Sequence, residues 1–127
     1  MRNVVLDASA LLAMLNDEPG AERVAAVIER AVVSSVNFSE VVATLAEYGM
    51  EDEVIEKALV GLGLDVVAFD RDSAWTAGLL RPVTRHLGLS LGDRACLATG
   101  IRHGIPVFTT DRRWSELELG VAVELAR

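Results

Sequence analysis

Four acidic residues stand where apolar segments give way to helix-like segments, and their types and positions suggest a shared chemistry. They are Asp7, Glu40, Asp93 and Asp111. In an open parallel sheet the carboxyl ends of the strands share one edge, where ligand sites form. Carboxylates brought together there repel by roughly 4 kcal/mol per close pair at an effective dielectric near 20. A divalent cation is the simplest way to hold them, so the pattern indicates metal-dependent phosphodiester chemistry.

Each of these acids also has an ordinary structural explanation, because short polar side chains often cap helices. The alternatives are single caps by Asp7 and Asp111, and capping boxes formed by Asn37 with Glu40 and by Ser90 with Asp93. Acidic residues are favoured at helix N-termini by about 0.3–1 kcal/mol in any case. Taken singly, each acid is explained at least as well by structure as by function.

The surroundings of the acids separate them. Asp93 lies on the apolar face of its predicted helix beside Cys96, and no lysine or arginine falls on that face. An unpaired charge there is expensive to bury, which makes Asp93 the strongest candidate. Asp7 follows a strand without polar alternation, so we expect it to be buried as well. Glu40 shares a face with Glu47 and is the weakest candidate, because that face has the composition of a solvated surface.

Two hydroxyl residues, Ser9 and Thr110, stand beside Asp7 and Asp111. Their hydroxyls could bond a carboxylate, a metal-bound water or a phosphate oxygen. Local bonding to the backbone at a helix start explains them equally well. We therefore treat both as candidate supporting residues.

The chain has 127 residues, and half of them are apolar. This length and composition predict a single globular domain that spans residues 1–127. No apolar run approaches the roughly 18 residues of a membrane span, and Asp7 interrupts what would be the apolar region of a signal peptide. The single cysteine, Cys96, excludes an internal disulfide and a cysteine-based zinc site. We expect a cytoplasmic protein with no membrane contact.

The net charge of −7 is unevenly distributed. Residues 1–64 carry four basic and eleven acidic side chains, whereas residues 65–127 carry eight of each. The chain therefore lacks the general basic character of a protein that binds nucleic acid by neutralising phosphates. Contacts to RNA would have to come from local arginines, namely Arg81, Arg85, Arg94, Arg112 and Arg113. Trp75 and Trp114 are predicted to pack in the core or between helices rather than to stack on bases.

Strand-length apolar runs alternate with helical patterns, which is typical of an α/β fold with a mainly parallel sheet. The predicted strands are 3–7, 31–34, 65–69, 106–109 and 121–125. The predicted helices are 8–16, 20–30, 37–48, 51–61, 72–87, 92–103 and a short one near 113–117. Pro82 falls inside the fifth long helix and should kink or divide it.

Four short motifs together resemble those of PIN-domain ribonucleases. They are residues 5–12 (VLDASALL), 37–41 (NFSEV), 89–98 (LSLGDRACLA) and 108–111 (FTTD). Each motif is short, but the four occur in the right order and span nearly the whole chain. Length and order are similar to the VapC-type toxins of bacterial toxin–antitoxin pairs.

The resemblance implies a three-layer α/β fold with a central, mainly parallel sheet of four to five strands flanked by helices. It implies a Mg²⁺ or Mn²⁺ site formed by Asp7, Glu40, Asp93 and Asp111, with Ser9 and Thr110 in support. Asp7 and Asp93 would contact the metal directly or nearly so, and Glu40 could act through water. The family cuts RNA, usually forms homodimers and is silenced by a partner antitoxin. Hard oxygen ligands suit these ions.

Rival interpretations remain. A PIN-like domain could serve as a catalytically inactive binding module whose carboxylates act in stability or hold a partner's arginine. A phosphoacceptor receiver domain needs a lysine near its acidic pocket, but Lys57 lies in an acidic helix far from any strand end. A phosphatase with an N-terminal D-x-D motif is disfavoured because Ser9 occupies the second acidic position.

Overall fold

The computed structural model describes residues 2–127, which contain five strands and seven α-helices. The strands are β1 (Val4–Leu6), β2 (Ala31–Ser34), β3 (Asp65–Val67), β4 (Val107–Thr109) and β5 (Val123–Leu125). The helices are α1 (Ala8–Leu15), α2 (Ala21–Ala25), α3 (Ser35–Glu47), α4 (Asp52–Val60), α5 (Arg71–Leu79), α6 (Arg81–Thr84) and α7 (Leu91–His103). The strands form one sheet in the order β3-β2-β1-β4-β5, and every pairing is parallel.

Helices cover both faces of the sheet, which confirms the three-layer α/β fold. The three central strands are buried along their whole length, as parallel strands between two helical layers must be. Successive side chains of β1 enter different cores: Leu6 belongs to the core that includes Leu45 of α3, and Val5 belongs to the core that includes Leu97 of α7. Among the residues that the structure describes, no helix combines the length and apolar character needed to cross a bilayer.

The predicted helix 72–87 is divided at Pro82, as expected. The structure has α5 up to Leu79 and then α6, with the proline at the start of α6, followed by a 3₁₀ turn over Arg85–Leu87. Proline has no N–H to donate to the carbonyl four residues earlier, so the first helix stops before it.

The predicted helix 20–30 is wrong in its second half. Helix α2 ends at Ala25, and Ile28–Arg30 form a separate 3₁₀ turn. We attribute the break to the absence of a loop before β2. Ala31 is already extended and paired with Val4, so the chain must leave the helix early to reach the sheet.

The predicted start of α3 at residue 37 is also wrong, and with it the Asn37–Glu40 capping box. The helix begins at Ser35, and Ser34 is the N-cap, its Oγ accepting from the N–H of Val36 at 3.2 Å. Ser34 is the last residue of β2, so strand and helix join without a loop. Asn37 and Glu40 therefore lie inside the helix, where their side chains are available for contacts with other elements.

Candidate functional site

The four acidic residues all lie at the carboxyl edge of the sheet, near the point where strand order reverses. The chain runs from β1 through β2 to β3 on one side, and β4 and β5 lie on the other. Asp7 directly follows β1, and Asp111 follows β4 by two residues. Asp93 lies in the first turn of α7 and Glu40 in the second turn of α3. Such switch points are where open α/β sheets bind ligands.

Asp7 is the most buried of the four acids, with 4% of its surface exposed. It accepts from the N–H of Ala10 at 2.8 Å, so its predicted cap of α1 is confirmed, and it also accepts from Ser9 Oγ at 2.7 Å and Thr109 Oγ1 at 2.6 Å. Its pKa is nevertheless raised from 3.8 to about 6, mainly by burial and to a smaller extent by the negative charge of Asp93. Within residues 2–127 no basic side chain pairs with Asp7. This carboxylate therefore lacks a compensating positive charge.

The hydroxyl that contacts Asp7 from β4 belongs to Thr109, a residue that the sequence analysis missed. The predicted supporting residue Thr110 contributes its backbone N–H, which donates to Ser9 Oγ at 3.1 Å. Thr109 reaches Asp7 because Leu6 pairs with Phe108, which places the following residues side by side. Strand register across a hundred residues has no local sequence signal, so only the tertiary structure identifies this contact.

Asp93 and Ser90 form the capping box that the spacing suggested. The N–H of Ser90 donates to Asp93 Oδ2 at 2.9 Å, and the N–H of Asp93 donates to Ser90 Oγ at 3.1 Å. Among the described residues the box uses Oδ2 alone, so Oδ1 is open to a further ligand. The capping role and a role in chemistry are therefore compatible.

Glu40 is exposed, as predicted from the composition of its helix face. Its carboxylate is nevertheless fixed by a hydrogen bond from within the protein. Asn37 Nδ2 donates to Glu40 Oε1 at 2.9 Å and to the carbonyl oxygen of Gly92 at 3.0 Å. These bonds join α3 to α7 next to Asp93. Asn37 and Gly92 fall within the motifs 37–41 and 89–98, but the sequence predicted only a capping role for Asn37 and no role for Gly92.

Asp111 differs from the other acids because its charge already has a partner. Its carboxylate takes two bonds from Arg113, Nε to Oδ1 at 3.0 Å and Nη2 to Oδ2 at 2.6 Å. The N–H of Arg113 also donates to Oδ1, so Asp111 caps the 3₁₀ turn after it, as predicted. Arg113 lowers the pKa of Asp111, and its remaining Nη1 donates to the carbonyl of Leu87 at 2.7 Å.

Three of the acids act together on the buried thiol of Cys96. Burial raises the pKa of Cys96, and the charges of Asp7, Asp93 and Glu40 each raise it further. The thiol thus lies in the combined negative field of these carboxylates. Because this field and burial disfavour the reactive thiolate, Cys96 is a core residue rather than a nucleophile. Asp111 joins the group indirectly, because its partner Arg113 also interacts with the charge of Asp93.

The donor set suits a hard cation. Within residues 2–127, no three acidic, imidazole or thiol side chains lie close enough to form a complete metal cluster. The oxygen chemistry nevertheless fits Mg²⁺ or Mn²⁺. Asp7 fits such an ion because burial disfavours its charged form and the negative charge of Asp93 adds to that effect.

The arginines and tryptophans divide by burial. Arg94 points inward and donates to the carbonyl of Ala77, whereas Arg81, Arg85, Arg112 and Arg113 are exposed.

The predicted core position of Trp114 is confirmed, because its side chain is fully buried. The same prediction for Trp75 is wrong, since 67% of that residue is exposed on α5. The spacing of Trp75 does not distinguish a face that packs against α7 from one that faces solvent.

The chain belongs to the PIN domain family, whose model matches residues 4–119, and the identification from the four motifs is confirmed. The fold is similar to a toxin–antitoxin complex from Klebsiella pneumoniae, with 19% identity, 98% of each chain covered and a TM-score of 0.76. It is also similar to DNA-bound VapBC from Salmonella typhimurium, with 20% identity, full coverage of both chains and a TM-score of 0.69. VapBC2 from Rickettsia felis, bound to a promoter DNA fragment, has 15% identity, coverage of 96% and 97% and a TM-score of 0.76. No curated protein matches the chain.

Proposed function

We propose that this protein is a metal-dependent endoribonuclease that acts as the toxin of a toxin–antitoxin pair. The observation that carries the proposal is the carboxylate of Asp7, which is 4% exposed, has no basic partner among the described residues and lies at the same edge of the sheet as Asp93. PIN membership and the position of the acids at a topological switch point support it.

Asp7 and Asp93 would hold a Mg²⁺ or Mn²⁺ ion, with Asp111 and Glu40 completing the site. The bound ion would activate water for hydrolysis and stabilise charge on the phosphate. Ser9 and Thr109 orient the Asp7 carboxylate by donating to it, and the N–H of Thr110 fixes Ser9 in turn. Hydrolysis by water leaves a 5′-phosphate and a 3′-hydroxyl.

The proposal includes partners. Solved structures of similar fold are toxin–antitoxin complexes, so we propose a cognate antitoxin that obstructs the acidic edge, together with a homodimer of this chain. A cytoplasmic location follows from the RNA substrate.

A catalytically inactive PIN-like binding module is the second candidate, and specific contacts favour it. Asp93 closes a capping box, and Asp111 is neutralised by Arg113, so both acids have structural roles. In this alternative the carboxylates stabilise the fold or receive a partner's arginine.

Cleavage of total bacterial RNA by the purified chain and by Asp93→Asn distinguishes the two. Each protein is incubated with Mn²⁺, with Mg²⁺ and with chelator, and the cut ends are mapped. We expect discrete, metal-dependent cuts that carry 5′-phosphates and are absent with the variant. A folded, partner-free wild-type protein that cleaves nothing under any metal would favour the binding module instead.

A further inference from the structure

The Glu40 carboxylate is held in place by a buried amide. Asn37, with 1% of its surface exposed, directs Nδ2 to two acceptors, Glu40 Oε1 and the carbonyl of Gly92. Because both neighbours are acceptors, only the NH₂ group can face them. The orientation of the amide is therefore fixed, and Asn37 Oδ1 is left without a partner among residues 2–127.

The second feature is the missing side chain at Gly92. A Cβ placed there would overlap both carboxylate oxygens of Glu40, closer than real Cβ atoms approach their neighbours. The carboxylate therefore lies against the backbone of α7, one residue from Asp93. Glu40 is otherwise exposed, and a free glutamate at such a position would sample several rotamers.

We infer that Asn37 and Gly92 form a seat for the Glu40 carboxylate and are positioning residues that hold it beside Asp93 for metal binding. The inference rests on the proposed function and extends it to two residues that supply no carboxylate to the site. Helix capping does not account for Asn37, because Ser34 is the cap. Packing alone does not account for Asn37 either. An apolar side chain at this position would fill the space without leaving a buried oxygen, Asn37 Oδ1, that has no hydrogen-bond partner among the described residues.

Gly92→Ala is the sharpest test, because it should displace Glu40 without unfolding the protein. The atoms that the new methyl meets are the end of a flexible side chain, and alanine is the better helix former. Gly78→Ala is the matched control. Gly78 lies in α5, is exposed and has nothing within 4 Å of an added Cβ.

Asn37→Ala removes the other half of the seat, and Glu40→Gln provides the background in which the seat has no carboxylate to hold. Mn²⁺ affinity is measured by calorimetry without RNA for each single variant and for both seat variants combined with Glu40→Gln. We expect Gly92→Ala and Asn37→Ala each to weaken Mn²⁺ binding about tenfold, as loss of an outer-shell partner does. In the Glu40→Gln background neither should change the affinity, because both act through that carboxylate.

A second measurement needs no metal. In ¹H–¹⁵N spectra recorded with chelator, the side-chain NH₂ resonances of Asn37 should shift in Gly92→Ala and Glu40→Gln and stay unchanged in Gly78→Ala. An unperturbed amide in Gly92→Ala would overturn the seat, as would a tenfold loss of affinity that persists in the Glu40→Gln background.

Failure of the seat is distinguishable from failure of the proposed function. If wild-type protein binds Mn²⁺ and Gly92→Ala binds it with the same affinity, the role of the seat is overturned and the proposed function is not. Wild-type protein that shows the expected amide shifts but binds no Mn²⁺ would overturn the proposed function and the role of the seat in it.

Discussion

Asp93 combines a structural role with a proposed chemical one, and two substitutions separate them. Asp93→Asn keeps an oxygen that can accept from the N–H of Ser90, so the cap survives while the charge is lost. We expect RNA cleavage to fall by about a hundredfold or more, with little change in unfolding temperature. Ser90→Ala keeps the charge and removes the hydroxyl that caps α7, so it should cost about 1 kcal/mol of stability and leave cleavage intact.

Initial rates of cleavage and thermal unfolding of both variants test this expectation. Equal losses of activity in the two variants, each in proportion to destabilisation, would assign Asp93 a structural role only.

Asp7 should make the metal-free protein less stable as the pH rises. Its pKa is raised from 3.8 to about 6, so the folded state holds the proton more tightly than the unfolded state. Stability from this group is therefore fully present below about pH 4, is lost as the pH rises through about 6 and stays lost above it. Two pKa units correspond to roughly 3 kcal/mol.

Urea unfolding of wild type and Asp7→Asn, in chelator from pH 4.5 to 8, measures this effect. The variant should become the more stable protein above pH 6, and added Mn²⁺ should stabilise wild type only. A difference between the two proteins that does not vary with pH would contradict the assignment.

At the scale of elements, local signals in the sequence predicted most of the helices and strands. Pro82 divides its helix because it lacks a donor, and Gly88 and Gly104 end theirs in the left-handed conformation that glycine favours. Contacts between elements were beyond such signals. The cap of α3 is the last residue of β2, and Thr109 meets Asp7 through strand pairing, so both depend on the assembled sheet.

The same limit applies to the candidate site. Asp7, Asp93 and Asp111 were predicted from their positions at strand ends and helix starts, which are local features. The pairing of Asp111 with Arg113 was not, because two residues of spacing bring these side chains together only in the 3₁₀ turn that follows Asp111.

The turn after β4 is joined to the segment before α7 by Arg113, which contacts Asp111 and the carbonyl of Leu87. Arg113→Ala should cost less than about 1 kcal/mol, because the Arg113 side chain is 54% exposed and solvent screens the pair. If Asp111 completes the metal site, removing this competing cation should strengthen Mn²⁺ binding a few-fold. Arg112→Ala, at the exposed neighbouring position, is the control.

Calorimetric titration of the two variants with Mn²⁺ provides the comparison. Weaker binding by Arg113→Ala than by Arg112→Ala would mean that Arg113 supports the site rather than competes for Asp111.

At the scale of the molecule, α5 presents an apolar surface suited to the proposed homodimer. Trp75 and Leu79 are one turn apart and are 67% and 66% exposed. Large exposed apolar groups on one face are typical of interaction sites. Trp75→Ala with Leu79→Ala should shift the dimer towards monomer by tenfold or more in dissociation constant, as loss of a buried aromatic anchor does.

Val60→Ala is the control, since Val60 is 71% exposed on α4, which packs against the other face of the sheet. Light scattering across a concentration series gives the dissociation constants. Dissociation caused by the Val60 substitution and not by the α5 pair would place the interface on the opposite face.

The uneven distribution of charge along the chain limits which part of the protein can bind RNA. The acidic N-terminal half repels phosphates, so attraction must come from the exposed arginines near the acidic edge. Arg85 lies in the turn whose Leu87 carbonyl binds Arg113, and Arg112 adjoins that pair. Arg30, by contrast, directly precedes β2 and so lies at the amino edge of the sheet.

Binding of single-stranded RNA to Asp93→Asn, in chelator and across a salt series, tests this geometry without cleavage. Arg85→Ala with Arg112→Ala should weaken binding and lower the slope of log affinity against log salt by about 1.4, since each phosphate contact on a single strand contributes about 0.7. Arg30→Ala should leave the slope unchanged. An equal fall of the slope with Arg30→Ala would mean that RNA affinity depends on the net charge of the protein alone. That result would contradict RNA binding at the acidic edge.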